Sequence, residues 1–323
     1  SDFTVTNDID INAKDESSTE VNAIGVTLSA GGAASIVVAK GTNDSSTTVN
    51  ISGTDITADG NIDINAERQA KDENGNKTDS LSVSAIAGSG GLLFAGAGVG
   101  ATANEFGTVG AAVTGGSNFT AGNAINITAL NAPSVKAVTG AVAGSMVVSG
   151  AITVAEANIG GKDDDEHLET YVNISDGNSF TADSLTAEAK ADAVQSVDMN
   201  GISVSAALWP TGSIQANTGG ADIYSDVDVT IGKNVFKGNQ DEPAINLNIN
   251  GINNVTQKVS AKGISVSTFV ATGTNIAETN SVLNTHVAAN GSQTGSNIET
   301  VDINADSKVT VNSSSRGDGG AIA

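Results

Sequence analysis

Five consecutive residues of this 323-residue chain carry side chains suited to chemistry: Asp163, Asp164, Asp165, Glu166 and His167. The four carboxylates supply hard oxygen ligands of the kind calcium takes, so Asp163, Asp164, Asp165 and Glu166 are the candidate metal site and calcium is the candidate cofactor. Their spacing fits neither an EF-hand loop nor the tandem Gly-rich nonapeptide of calcium-binding β-rolls. The competing reading is a solvated acidic loop. His167 and the only other histidine, His286, lie far apart in sequence. A general base needs partners within hydrogen-bond reach, and the sequence names none for either. No Gly-x-Ser-x-Gly elbow stands between a strand and a helix. Paired carboxylates on a β-helix could cleave a glycosidic bond, but with one Trp and two Tyr the chain is poor in the aromatic platforms that sugar-cleaving grooves use. The sequence therefore predicts no enzyme. A carbohydrate-active β-helix (lyase or hydrolase) or a glycan-binding module is the alternative. Its mark would be a concave groove holding two or three carboxylates beside aromatic rings. Arg316-Gly317-Asp318 spells an adhesion tripeptide, and its expected setting is a turn.

The elements that must position any such groups repeat. Asp8-Ile9-Asp10-Ile11-Asn12-Ala13 returns as Ile62-Asp63-Ile64-Asn65-Ala66, Ile125-Asn126-Ile127-Thr128-Ala129 and Leu185-Thr186-Ala187-Glu188-Ala189. Looser copies are Ile245-Asn246-Leu247-Asn248-Ile249 and Val301-Asp302-Ile303-Asn304-Ala305. Apolar and polar residues alternate in each copy, the period of a strand with one buried face. Two other markers keep the same step of about sixty residues. Thr-Ala recurs at Thr57-Ala58, Thr120-Ala121 and Thr181-Ala182. A small residue followed by Asn recurs at Asn43, Asn104, Asn158, Asn217 and Asn280, the expected rungs of a side-chain amide ladder.

The approximate units are 8–61, 62–124, 125–184, 185–244 and 245–300, with a partial one at 301–323. The expected fold is all-β: a parallel β-helix of about 60-residue repeats, each divided into about three coils. At about 4.8 Å per coil this makes a rod on the order of 75 Å long. The alternative is a row of antiparallel hairpins or small sandwiches. The whole chain reads as one continuous array, a segment of a longer protein or a filament subunit. Insertions are expected in the loops 67–79, 161–170 and 233–242.

The net charge of -22 comes from 36 acidic and 14 basic residues. It excludes nucleic acid as a partner and argues against an anionic membrane surface. With no run of 18 apolar residues, no membrane insertion is expected. The chain has no Cys, so disulfides and thiolate metal sites are absent.

Gly/Ala/Val-rich phrases ending in Ala-Asn, followed by a turn, Thr-Ala and an Ile-Asn-Ile strand, resemble the repeats of giant bacterial filamentous adhesins. These are the leukotoxin-like and haemagglutinin-like exoproteins of autotransporter and two-partner secretion. The resemblance implies export to the bacterial cell surface or the extracellular space, a fibre, and adhesion to host-cell or surface glycans and proteins. It transfers no catalytic residue. Self-association end to end, or stacking on flanking repeats of the same protein, is the expected partnership.

Overall fold

A computed structural model describes residues 2–163, 166–206, 211–239 and 244–321. The described residues form twenty strands and no α-helix, and every pairing between strands is parallel. The antiparallel hairpin alternative is therefore wrong. Among the described residues the one antiparallel bridge is isolated, Lys71 with Lys77, inside a loop.

The strands lie in three sheets. A narrow sheet holds β1 (Asp2–Val5), β5 (Asp55–Ala58), β9 (Asn118–Ala121), β14 (Ser179–Thr181) and β17 (Val235–Lys237). The second sheet holds β2 (Ile9–Asp15) with β3 (Thr19–Ser29), β6 (Ile62–Arg68) with β7 (Leu81–Gly91), and β10 (Ala124–Asn131) with β11 (Ser134–Ser145). Three long strands complete it: β15 (Ser184–Ser205), β18 (Ile245–Ser267) and β20 (Ile298–Ala321). The third sheet holds β4 (Gly32–Ser52), β8 (Phe94–Thr114), β12 (Val148–Ile159) with β13 (Leu168–Ile174), β16 (Gly212–Ile231) and β19 (Val270–Ala289).

The chain runs through the narrow sheet, along the second, round a tight turn and back along the third. Each strand then meets its counterpart one full circuit later. Ile9 pairs with Ile62, Ile62 with Ile125, Ile125 with Leu185, Leu185 with Leu247 and Leu247 with Val301. The partners are 53, 63, 60, 62 and 54 residues apart, taken as differences of these numbers. One circuit therefore takes about sixty residues, where the sequence reading divided that length into three coils of about twenty. The correction has a simple cause. Strands of 20 or more residues use up a circuit that short strands would have divided. Six rungs at about 4.8 Å span about 24 Å along the stack, not 75 Å, while a 20-residue strand spans about 65 Å across it. The described part is a broad blade, with the narrow sheet closing its base and the turns between the second and third sheets forming its tip. The fifth phrase is also corrected by two residues: Leu247, not Ile245, continues the column.

The interior changes along the blade. At the base it is filled by Ile, Leu, Val and Phe, including Ile62, Ile64, Ile125 and Ile127. Phe119, Phe180 and Phe236 stack there on successive rungs, with ring centroids 5.2 and 5.8 Å apart. A second apolar cluster nearer the tip is rich in Ala. Between the two runs a polar seam. Arg68 reaches across to Glu105 as a buried ion pair and donates to the Phe106 carbonyl at 2.8 Å. Burial pushes the Arg68 guanidinium pKa down, against the pull of Asp15 and Asp44. Further up the stack, buried amides take over the seam. Asn253 donates to the Ser225 carbonyl at 3.0 Å, and Gln257 donates to the carbonyls of Ala221 and Asn280 at 2.8 Å each. These bonds join the second sheet to the third and give the buried amides their partners.

Candidate functional site: an acidic trough on the third sheet

Along β13 and β16 the outward positions form short columns, because side chains of a strand alternate faces and parallel partners stand side by side. Thr108, Glu169 and Asp226 share one column and Gly110, Tyr171 and Asp228 the next. Gly110 leaves room that a side chain would fill: a Cβ built there runs into the Tyr171 ring, so the ring lies over the glycine. The result is a trough of about 550 Å³ lined by Glu169, Tyr171, Asn173, Asp226, Asp228 and Thr230. A smaller hollow of about 360 Å³ adjoins it beside Asp44, Phe106, Glu166 and His167, and Glu169 lines both.

The carboxylates are held in place. His167 Nδ1 lies 2.8 Å from Asp226 Oδ2, and Asn284 donates to Asp226 Oδ1 at 2.7 Å. His167 is buried, with its ring 5.6 Å from that of Tyr224. Asp228 takes a 2.6 Å bond from Thr230 and sits 3.0 Å from His286 Nδ1. Both histidines thus have carboxylate partners that their sequence positions did not reveal. The trough can accept hydrogen bonds from hydroxyl or amino groups and offers one aromatic face, a set suited to a sugar ring.

The candidate calcium residues fall otherwise. Asp164 and Asp165 lie outside the described residues. Asp163 and Glu166 sit in the loop between β12 and β13, where the Glu166 amide donates to the Asp163 carbonyl at 2.9 Å. No group of three or more His, Cys, Asp or Glu among the described residues is placed to hold a metal ion. Three of the five candidate ladder residues, Asn104, Asn158 and Asn280, share one column. Asn104 and Asn158 are register partners, with Asn158 donating at 2.9 Å. Their column continues through Asp222 to Asn280 and begins at Thr42. Asn43 is one residue off the column and donates instead to Glu105 at 3.0 Å. Asn217 is five residues off, buried, and bonded to Thr153 and Asn275. Asp222 stands where an Asn was expected; burial first, then Glu278, holds its carboxyl above the usual range. The adhesion tripeptide lies in extended β20, not in a turn, with Arg316 Nε 3.1 Å from Asp318 Oδ2.

Sequence reasoning missed Glu169, Tyr171, Asp226 and Asp228. The available signal was Glu-x-Tyr followed 57 residues later by Asp-x-Asp, both in the polar phase of alternating strands. No family model, curated protein or solved structure matches the chain.

Proposed function

We propose that this chain is a structural and adhesive segment of a bacterial surface or extracellular fibre: a parallel β-solenoid whose unit is one circuit of about sixty residues. The observation that carries the reading is the column Ile9, Ile62, Ile125, Leu185, Leu247, Val301, one residue per rung and in register through the stack. A fold that grows by adding identical rungs along one axis is suited to span distance. Its mechanics come from the same geometry, since each rung is tied to the next by a ladder of backbone hydrogen bonds. The resemblance to filamentous adhesin repeats supports the same setting. Partners follow from the edges. The outer edges of β4 and β20 carry unpaired backbone groups among the described residues, and a further rung, from flanking repeats or a second copy, completes them by strand addition. Electron microscopy of the purified chain tests this. Particles that lengthen along the stacking axis with concentration support it, and strictly single blades at every concentration count against it.

A second reading rests on the trough. Tyr171 laid over Gly110 beside Glu169 and Asp228 favours a glycan-binding site, and the acidic lining favours neutral or amino-sugar oligosaccharides over uronates. Calorimetric titration with chitosan oligosaccharides should give heat that Tyr171→Ala abolishes. A flat titration with the native chain ends this reading. Release of reducing ends in the same mixture would move it from binding to hydrolysis.

A further inference from the structure

The tip of the blade is apolar on the outside. In the second sheet the outward column Val26, Gly88, Val142, Ile202, Ile264 runs rung by rung. In the third sheet Ile36, Gly98, Ile152 and Ala216 form another. Leu28 and Ile36 are 80% and 81% exposed, and Ile152 and Ile214 are 53% and 57% exposed. The turns joining the two sheets continue the surface with Leu92, Leu93, Phe94, Met146 and Phe269, all exposed. The interior beneath is polar where the exterior is not. Ser149 bonds Ser203 and Ser205 at 2.7 and 2.8 Å, Ser213 bonds Ser265 at 2.6 Å, and Ser267 donates to the Val270 carbonyl at 2.7 Å. Hydroxyls turned inward and aliphatic groups turned outward reverse the order found at the base, and Ser89, Thr139 and Ser145 hold buried hydroxyls without a partner.

Charge follows the same division. In register, the spans 21–39, 83–101, 137–155, 197–206 with 211–219, and 259–277 build the tip, and Asp198 and Lys262 are their charged residues. The other 35 acidic residues lie elsewhere. The net charge that argued against a membrane partner therefore belongs chiefly to the base. Acids set back by more than a Debye length of about 8 Å are largely screened from a surface touching the tip. The apolar strip stops at β20, where its columns carry Arg316 and Asp318.

Area and shape identify the occupant. Five rungs at about 4.8 Å and eight residues at about 3.3 Å give about 600 Å² of outer surface per face, so about 1,200 Å² over both, interrupted on the fifth rung of the third sheet by Thr272 and Thr274. The largest apolar patch on a typical soluble monomer is about 300–600 Å². A second copy laid flat on one face would leave the other face and the turns in water. A medium that surrounds the edge covers all three at once. We propose that the tip is a membrane-docking edge, seated in the headgroup and upper acyl region of an electrically neutral phospholipid bilayer. The contact is interfacial, at a depth of about 5–10 Å. Between the edge strands the backbone groups of the tip are paired rung to rung, and an interfacial depth leaves the open edges of β3, β4, β19 and β20 within reach of headgroups and water. This inference is independent of the fibre reading.

Flotation of the native chain with phosphatidylcholine vesicles tests it. Most of the protein should float at about 1 mM lipid, undiminished between 0.1 and 1 M salt, because charge screening plays no part. Leu93→Asp, Phe94→Asp and Phe269→Asp combined should cut the floating fraction at least tenfold with an unchanged circular dichroism spectrum. Hydrogen exchange of the native chain gives a second reading that needs no variant: vesicles should protect the tip turns at residues 91–94 and 145–148 and leave the base turns unaffected. Failure to float, or protection spread evenly over the blade, overturns the proposal. Concentration-dependent self-association through the tip without flotation also overturns it and assigns the edge to a second copy.

Discussion

At its base the blade buries Ile, Leu and Phe and shows Asp, Asn and Thr to solvent, as in Asp63, Asn126 and Thr186 on β6, β10 and β15. At its tip the same sheets bury Ala and Ser and show Ile and Val. Strand alternation is constant throughout; what changes is which phase carries the bulk. The two sheets are held apart at the base by phenylalanines and branched side chains. Toward the tip the interior is filled chiefly by Ala, Ser and Gly, with Val99, Met199 and Gln215 among the larger side chains there, and Ile and Leu are left outside. The larger share of buried apolar bulk, and with it of stability, is therefore expected at the base.

Substitutions can break this comparison, measured by urea denaturation. The largest effect is expected at the seam between the regions. Glu105→Ala leaves Arg68 buried without its partner and should cost about 3–5 kcal/mol. Phe180→Ala removes the middle ring of the base stack and should cost about 3–4 kcal/mol. Ala141→Leu forces bulk into the closed tip interior and should cost about 2 kcal/mol, though a base-like interior would absorb it readily. Asp222→Asn should stabilise by about 0.5–1 kcal/mol, since an amide can extend the Asn104–Asn158 column. Its pH dependence sharpens the point. The folded carboxyl pKa of Asp222 is raised, so the native state disfavours the charged form. That penalty is absent below the unfolded value and fully present above the folded one. The gain from Asp222→Asn should hold at pH 7 and fade as pH falls through the carboxylate range. Smallest of all, Ile86→Ser on the outer face of the tip should change stability by no more than about 0.5 kcal/mol.

Much of the fold is legible in the sequence because periodicity is local. The Ile-Asp-Ile-Asn phrases and the Thr-Ala pairs do fall on register partners, as Thr57, Thr120 and Thr181 show. The number of turns per sixty residues is not legible, since strand length depends on where the chain is free to bend. The tip is illegible for a related reason. In Val83-Ser84-Ala85-Ile86-Ala87 both phases contain apolar residues, and the inward phase of Leu81 and Val83 continues through Ala85 and leaves Ile86 outside. The ladder failed at Asn217 because rung lengths differ by several residues, so Ala216-Asn217 imitates Ala103-Asn104 while Asp222 holds the true position. The trough was hidden because its residues come from different rungs and nothing local marks Glu169 and Asp226 as neighbours.

The account rests on partners one full circuit apart, and the absence of native cysteine makes that directly measurable. Asn65 and Thr128 are outward register partners whose side chains bond at 2.6 Å. Asn65→Cys with Thr128→Cys should close an intramolecular disulfide under mild oxidation, because adjacent parallel strands bring Cα atoms within the roughly 4.4–6.8 Å that the bond needs. A control of Asn65→Cys with Ser84→Cys probes the register that coils of about twenty residues would impose, and it should stay reduced. Closure of the control pair, with Asn65→Cys and Thr128→Cys remaining open, would contradict the sixty-residue circuit and the blade built on it.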